Sequence, residues 1–161
     1  MLFRSRLGLI GMEDVLRPTT AELMHQFHQA GIDTVMITGD QSATAFSVGK
    51  RLGLGGAKDI EIMDSTNLDK LEPELLANIV KDTTIFARVS PAHKLRIVQA
   101  LQSNGRVIAM TGDGINDGPA LKASDIGVAM GEGGTDVARA VADVVLQDDN
   151  LHTMINAVEQ G

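Results

Sequence analysis

The sequence predicts an α/β fold, a three-layer sandwich around a mainly parallel sheet. Three observations lead there. Short apolar runs alternate with stretches of helical periodicity along nearly the whole chain, the pattern of strands joined by crossover helices. Two of those runs end in the same tripeptide, Thr38-Gly-Asp40 and Thr111-Gly-Asp113, and ligand sites in such sheets lie beyond the carboxyl ends of the strands. The composition is globular: 161 residues, 43% hydrophobic and 22% charged, enough for one domain with a packed core.

Residues 1–6 carry no fold signal and are set apart as a disordered or non-native leader; the domain is expected over 7–161. Residues 7–12 read as a first strand. Pro18 followed by Thr19-x-x-Glu22 reads as a helix start with a capping box, Leu23, Met24 and Phe27 as its apolar face, and Gly31 as its stop. A buried strand follows over 33–37, then a helix from Ser42 to about Gly53. The stretch 55–82 is less regular, with a short strand expected over 60–63 and a helix over 73–80; the mixed charge of 58–74 reads as solvated surface. Residues 85–87 form a short strand. Ser90-Pro91 opens a helix to about Gln102 with Leu95, Val98 and Leu101 inward. A strand over 107–110 leads into Thr111-Gly-Asp-Gly114, and Asp117 with Pro119 starts a short helix. A strand over 126–130, a helix from Thr135 to Ala142, a strand over 144–146 and a last helix capped by Asn150 complete the alternation.

The chemistry is expected at the two strand ends. Each places a hydroxyl, a glycine and a carboxylate at the rim of the sheet, and glycine lets backbone N–H groups approach an anion. Thr38 can donate to a phosphoryl oxygen. Asp113 and Asp117 bring two hard carboxylates to one rim, which suits Mg²⁺, an ion that takes few protein ligands. Either tripeptide alone would be read as a turn with a helix cap; the pair argues for a site. Lys94 and Arg88 are ordinary surface cations by themselves, but beside such a rim Lys94 can neutralise charge building on a phosphoryl group. His25 and His28, one helical turn apart, read as an exposed polar face, and His93 and His152 as surface or cap residues. Met24, Met36, Met110 and Met130 read as core. Gly131-Glu-Gly-Gly134 lacks the Lys-Ser/Thr of a P-loop and reads as a flexible turn.

Composition excludes several classes. A net charge of −7 with no Trp or Tyr gives neither the basic footprint nor the stacking platforms of a nucleic-acid binder. The absence of Cys excludes disulfides, thiolate metal sites and a Cys nucleophile. No run approaches the length of a membrane span, so the chain as given is expected to be soluble.

Asp113-Gly-Ile-Asn-Asp117 with Pro119-Ala-Leu121 resembles the hinge signature of P-type ATPases. Met36-Ile-Thr-Gly-Asp40, Phe86-Ala-Arg-Val-Ser-Pro91 with Lys94, and Gly134-Thr-Asp-Val-Ala138 with Asp148-Asp-Asn150 are similar to that family in its order, over nearly all of 7–161. The run of sequence is most like the cation pumps; Gly118 stands where Ala is more usual. The resemblance implies a haloacid-dehalogenase-like (Rossmannoid) phosphorylation domain, in which an aspartate takes the γ-phosphate of Mg-ATP and its hydrolysis drives ions across a membrane. It implies phosphate contacts from Thr38, Gly39, Thr111 and Gly112, a nucleotide side at Asp40 and Arg88, catalytic roles for Lys94, Asn116 and Asp117, and Mg²⁺ ligation by Asp113 and Asp117. Partners would be ATP, the remainder of the pump and, through the membrane domain alone, the transported cation. The place of the whole would be the cytoplasmic face of a membrane.

The family's phosphorylated aspartate lies in an Asp-Lys-Thr-Gly-Thr motif that does not occur in these residues; Asp69-Lys70 is followed by Leu71-Glu72. The expectation is therefore a partial phosphorylation domain lacking the nucleophile-bearing strand, which supplies half of the aspartyl-phosphate site and forms no aspartyl phosphate alone. Two other readings stand beside it. A small stand-alone phosphatase of the same superfamily needs an Asp-x-Asp on its first strand, which 7–12 lacks. A non-catalytic Mg²⁺- or nucleotide-binding regulator is left open by the residues.

Overall fold

The computed structural model describes residues 16–56 and 58–160. The leader and the strand expected over 7–12 lie outside the described residues. Helices α1 (Thr20–Gln29), α2 (Ser42–Leu52), α3 (Pro73–Ile79), α4 (Pro91–Ser103), α5 (Gly118–Ala123), α6 (Asp136–Val141) and α7 (His152–Gln160) alternate with strands β1 (Met36–Ile37), β2 (Ile62–Asp64), β3 (Ile85–Ala87), β4 (Ala109–Gly112), β5 (Ile126–Met130) and β6 (Val144–Leu146). All the strand pairings are parallel.

The strands form two sheets, β1-β3-β2 and β4-β5-β6, where the sequence led us to expect one. In the first, side chains of β3 alternate between two cores. Ile85 and Ala87 pack with Ala45 and Leu54 on the α1/α2 side, while Phe86 packs with Leu76, Val80, Ile97 and Leu101 on the α3/α4 side. That alternation is the three-layer arrangement. Helix α4 runs under both sheets: Ile97 joins the first core, whereas Val98 joins Met110, Leu121, Ala129 and Ala138 beneath the second. Ile37 and Ile108 touch both cores.

Between β1 and β4 lies a cleft of about 660 Å³. Its walls are Met36 and Ile37 on one side and Ala109 to Gly112 on the other, with Val98 and Leu101 of α4 also lining it. Among the described residues each wall is an edge strand, so backbone N–H and C=O groups that no described strand pairs face the opening.

Several expectations need correction. The strand over 107–110 begins two residues later; Val107 is 79% exposed. The strand expected over 33–37 pairs only at Met36 and Ile37, and the one over 60–63 moves to Ile62–Asp64. Thr19 makes no capping bond to α1. The stretch 58–74 is not simply solvated surface: a 3₁₀ segment, Ser65–Lys70, buries Ser65 and Leu68 completely. Gly31 and Gly53 end α1 and α2 in the left-handed conformation that glycine adopts without steric cost.

Candidate functional site

The carboxyl ends of β1 and β4 carry the two Thr-Gly-Asp turns, and neither turn is a helix cap. The residue before α2 makes no side-chain capping bond, and neither does the residue before α5. Among the described residues, Asp117 alone of the acidic groups of this rim closes a cap, on the Gly114 N–H at the start of the 3₁₀ turn Ile115–Asp117.

Asp117 is the most enclosed of them, with 5% of its surface exposed. One carboxylate oxygen accepts from the Gly114 backbone N–H at 3.1 Å, and the other accepts from the Lys94 ammonium. Burying a carboxylate without partners is costly, and these two bonds offset that cost. Lys94 is delivered by the first turn of α4. Pro91 stands in that first turn, and a capping box fixes it: Ser90 Oγ accepts from His93 N, and His93 Nδ1 accepts from Ser90 N, each at 3.3 Å. A ring whose Nδ1 accepts carries its proton on Nε2, which lies 3.1 Å from Asp69 Oδ2. That donation holds the Asp69 carboxyl below the usual carboxylate range, helped by the charge of Arg96. His93 is thus a buried cap and not a surface residue.

Gly112 is required by packing. A Cβ there would sit 2.6 Å from Asp117 Cβ. Thr111, Gly112, Asp113, Asp117 and Lys94 all line the cleft. Asp113 is exposed, and among the described residues no hydrogen bond or ion pair engages its carboxylate. Its backbone carbonyl accepts from Thr135 N at 2.8 Å. No group of three or more His, Cys, Asp or Glu converges among the described residues. A donor set of one exposed carboxylate beside a second whose two oxygens each already accept one hydrogen bond fits an ion that keeps most of its waters, as Mg²⁺ does, and not an all-protein cage.

The other turn forms a second group. Thr38 N donates to Phe86 O at 2.9 Å, Val89 N to Thr38 O at 3.0 Å and Arg88 N to Asp40 O at 2.9 Å. These bonds tie Thr38, Gly39 and Asp40 to the turn after β3, where Arg88 holds a φ of 54°, a region that costs a non-glycine residue energy. The Thr38 hydroxyl donates to Asp40 Oδ2 at 2.9 Å, so it must rotate away before it can serve a phosphoryl oxygen. Arg88 is exposed and lies in the field of Asp64, whose carboxyl is held low by Thr66, Ser42 and Arg88. Asn116 is exposed in the turn Ile115–Asp117.

The structure thus gathers Lys94, Thr111, Gly112, Asp113 and Asp117 at the cleft, and Thr38, Gly39, Asp40 and Arg88 at the neighbouring turn. His25 is exposed and bonds to Gln29, as on a polar face, whereas His28 is half-buried and its Nε2 lies 3.0 Å from the Thr34 hydroxyl. Sequence reasoning missed Asp64, and it read Thr135 as a cap without seeing its bond to Asp113. It also read residues 131–134 as a flexible turn. The loop is instead stitched down: Asp149 accepts from the Glu132 and Gly133 N–H groups, and Arg139 donates to the Gly131 and Gly134 carbonyls.

Known proteins are similar to this chain in sequence and in fold. The family model described as haloacid dehalogenase-like hydrolase matches residues 2–125. The chain is 51% identical over 156 residues to calcium-transporting ATPase 1 of Bacillus cereus and 48% identical over 155 to a cation-transporting ATPase of Synechocystis. It is 44% identical over 155 residues to calcium-transporting ATPase type 2C member 1 of Mus musculus. Each match covers 96% of this chain and 17% of the relative, so the chain spans about a sixth of their length. Among solved structures, a zinc-transporting PIB-type ATPase in an E2.Pi state superposes with a TM-score of 0.69 at 31% identity, over 91% of this chain and 19% of that one. The catalytic domain of a CPx-ATPase, from a study of nucleotide binding, gives 0.68 at 25% identity, over 91% and 47%. No described helix is long and apolar enough to cross a membrane. With a family model over most of its length and pump sequences over nearly all of it, the chain belongs to the haloacid dehalogenase-like hydrolases and matches the phosphorylation domain of cation-transporting P-type ATPases.

Proposed function

We propose that this chain supplies the Mg²⁺-side and phosphoryl-stabilising half of an aspartyl-phosphate site in an ATP-driven cation pump at the cytoplasmic face of a membrane. The observation that carries the reading is the Lys94–Asp117 pair set beside the free carboxylate of Asp113 at one mouth of the cleft. Asp113, with Asp117 behind it, would hold Mg²⁺, which supplies charge neutralisation on the phosphoryl oxygens. Lys94 presents its ammonium to the same oxygens, oriented by Asp117. Thr111 and Gly112 line the approach, Thr38 and Gly39 offer a hydroxyl and a backbone N–H from the other turn, Asn116 donates to the phosphoryl group, and Asp40 and Arg88 stand on the nucleotide side. Phosphoryl transfer depends on positioning and charge more than on covalent chemistry by the protein, which is the work these residues can do.

The cleft between β1 and β4 takes the extended segment that carries the Asp-Lys-Thr-Gly-Thr nucleophile, which lies outside these residues. Two facing edge strands and an apolar lining suit one inserted parallel strand. The test is acid-quenched labelling with γ-labelled ATP and Mg²⁺. This chain alone is expected to take no covalent label. The longer protein containing the motif is expected to take hydroxylamine-sensitive label, which Lys94→Ala lowers roughly 100-fold in rate. Stable label on the isolated chain overturns the reading. Turnover of a small phosphomonoester by the chain alone would favour the phosphatase.

A further inference from the structure

The loop over 131–134 offers backbone N–H groups to an anion, yet its anion comes from the chain itself. Asp149 accepts from Glu132 N at 3.2 Å and from Gly133 N at 2.6 Å. To do so it holds a φ of 51°, a left-handed conformation that costs a non-glycine residue energy. Two of its glycines have no room for a side chain: a Cβ on Gly133 would lie 2.9 Å from Asp149 Oδ2, and one on Gly134 would lie 2.1 Å from the Met130 carbonyl. Arg139 grips the loop from the other side through the Gly131 and Gly134 carbonyls and pairs with Asp136. The next residue is Thr135, whose N–H bonds the Asp113 carbonyl at 2.8 Å.

We infer that Asp149 is a positioning residue for Asp113: by filling the N–H groups of the 131–134 loop, it holds Thr135 against the backbone of the metal-side carboxylate. The inference rests on the reading of Asp113 given above. The physical logic is a short relay. A carboxylate bonded to two backbone N–H groups is worth more than a neutral pair. Without it, two N–H groups turn to water, the loop loosens, and the backbone bond from Thr135 to the Asp113 carbonyl loosens with it.

The test uses this chain, ¹⁵N-labelled, with two substitutions. Asp149→Asn keeps a residue tolerant of the left-handed region and one acceptor oxygen. Asp149→Gly removes both acceptors and also relieves the backbone cost, so it does not unfold the chain through strain. The expected result is graded amide exchange at Thr135: slow in the parent, intermediate with Asp149→Asn and about tenfold faster than the parent with Asp149→Gly. Exchange in β3, at Phe86, is expected to stay unchanged. Unchanged Thr135 exchange with Asp149→Gly overturns the relay, and so does equal acceleration at Thr135 and Phe86, because that is global destabilisation. A second arm titrates Mn²⁺ and reads paramagnetic broadening around Asp113. Broadening that needs several-fold more Mn²⁺ with Asp149→Gly supports positioning of the ligand, and an unshifted titration overturns it. If the parent shows no broadening near Asp113, the metal-site reading fails, and the exchange arm still decides whether Asp149 holds Asp113 in place.

Discussion

The Lys94–Asp117 pair combines a nearly buried carboxylate with an ammonium that a ligand would share. Removing one partner should therefore cost more than removing both. Lys94→Met leaves a buried charge with one backbone N–H and should destabilise the chain by about 3 kcal/mol; the double substitution with Asp117→Asn should recover most of that. Urea unfolding of the four proteins in a double-mutant cycle measures it, and additivity would show that the pair is not coupled. Gly112→Ala is a sharper probe. Its Cβ would meet Asp117 at 2.6 Å, so Asp117 must move, at a cost of roughly 1–3 kcal/mol. A crystal structure of the variant with Asp117 unmoved would refute this. At this scale the sequence named Lys94, Thr111, Gly112, Asp113 and Asp117 among the residues that line the cleft, because they sit in distinctive patterns of glycine, proline and carboxylate. It did not reveal the bonds of Asp149 or of the Thr135 N–H, because their partners are backbone groups with no side-chain signature.

Among the elements, α4 sets the geometry of the site, and its start was legible: Ser90-Pro91 is a strong helix signal and the capping box forms. Ser90→Ala should cost about 1 kcal/mol and loosen Lys94 with it, read as a lowered melting temperature. The link from His93 to Asp69 was hidden, because Asp69 lies 24 residues earlier in a stretch that looks merely charged. Leu68 next to it is fully buried, a single apolar residue whose 3₁₀ turn has no helical or strand periodicity to betray it. The Asp69 link carries a pH signature. Its carboxyl is held below its ordinary value of 3.8, so the folded state binds a proton less readily than the unfolded chain. The stabilisation is complete above the unfolded value and is lost as pH falls through the lower folded value. Melting temperature should decline from about pH 5 downward, less steeply in Asp69→Asn. Equal slopes in both proteins would remove Asp69 from the account. Strand ends were misread where apolar residues continue beyond the ladder. Val107 extends the run of β4 toward its start but faces the open cleft.

For the whole molecule, the alternation of strands and helices was legible and the division of the sheet was not, because pairing between strands distant in sequence leaves no local mark. The cleft is where that division has consequences. Met36, Ile37, Ala109 and Met110 belong to edge strands, and Val107, Ile126 and Val158 line the same opening with 79%, 43% and 52% of their surfaces exposed. Edges left unpaired among the described residues, beside apolar surface, are a template for pairing with any extended segment, including one from another copy. The chain should therefore associate as its concentration rises into the ~100 µM range, seen by light scattering across a size-exclusion peak. Two interventions should suppress this by different routes. Val107→Lys places a charge at the mouth of the cleft and should hold the chain monomeric without lowering its melting temperature, since Val107 is mostly exposed. A peptide spanning the Asp-Lys-Thr-Gly-Thr segment should do the same by occupying the cleft, and should raise the melting temperature because it binds only the folded state. A chain that stays monomeric throughout would mean that the edges close without a partner. Association that Val107→Lys and the peptide both leave untouched would locate the sticky surface elsewhere and would mean that the gap between β1 and β4 takes no further strand.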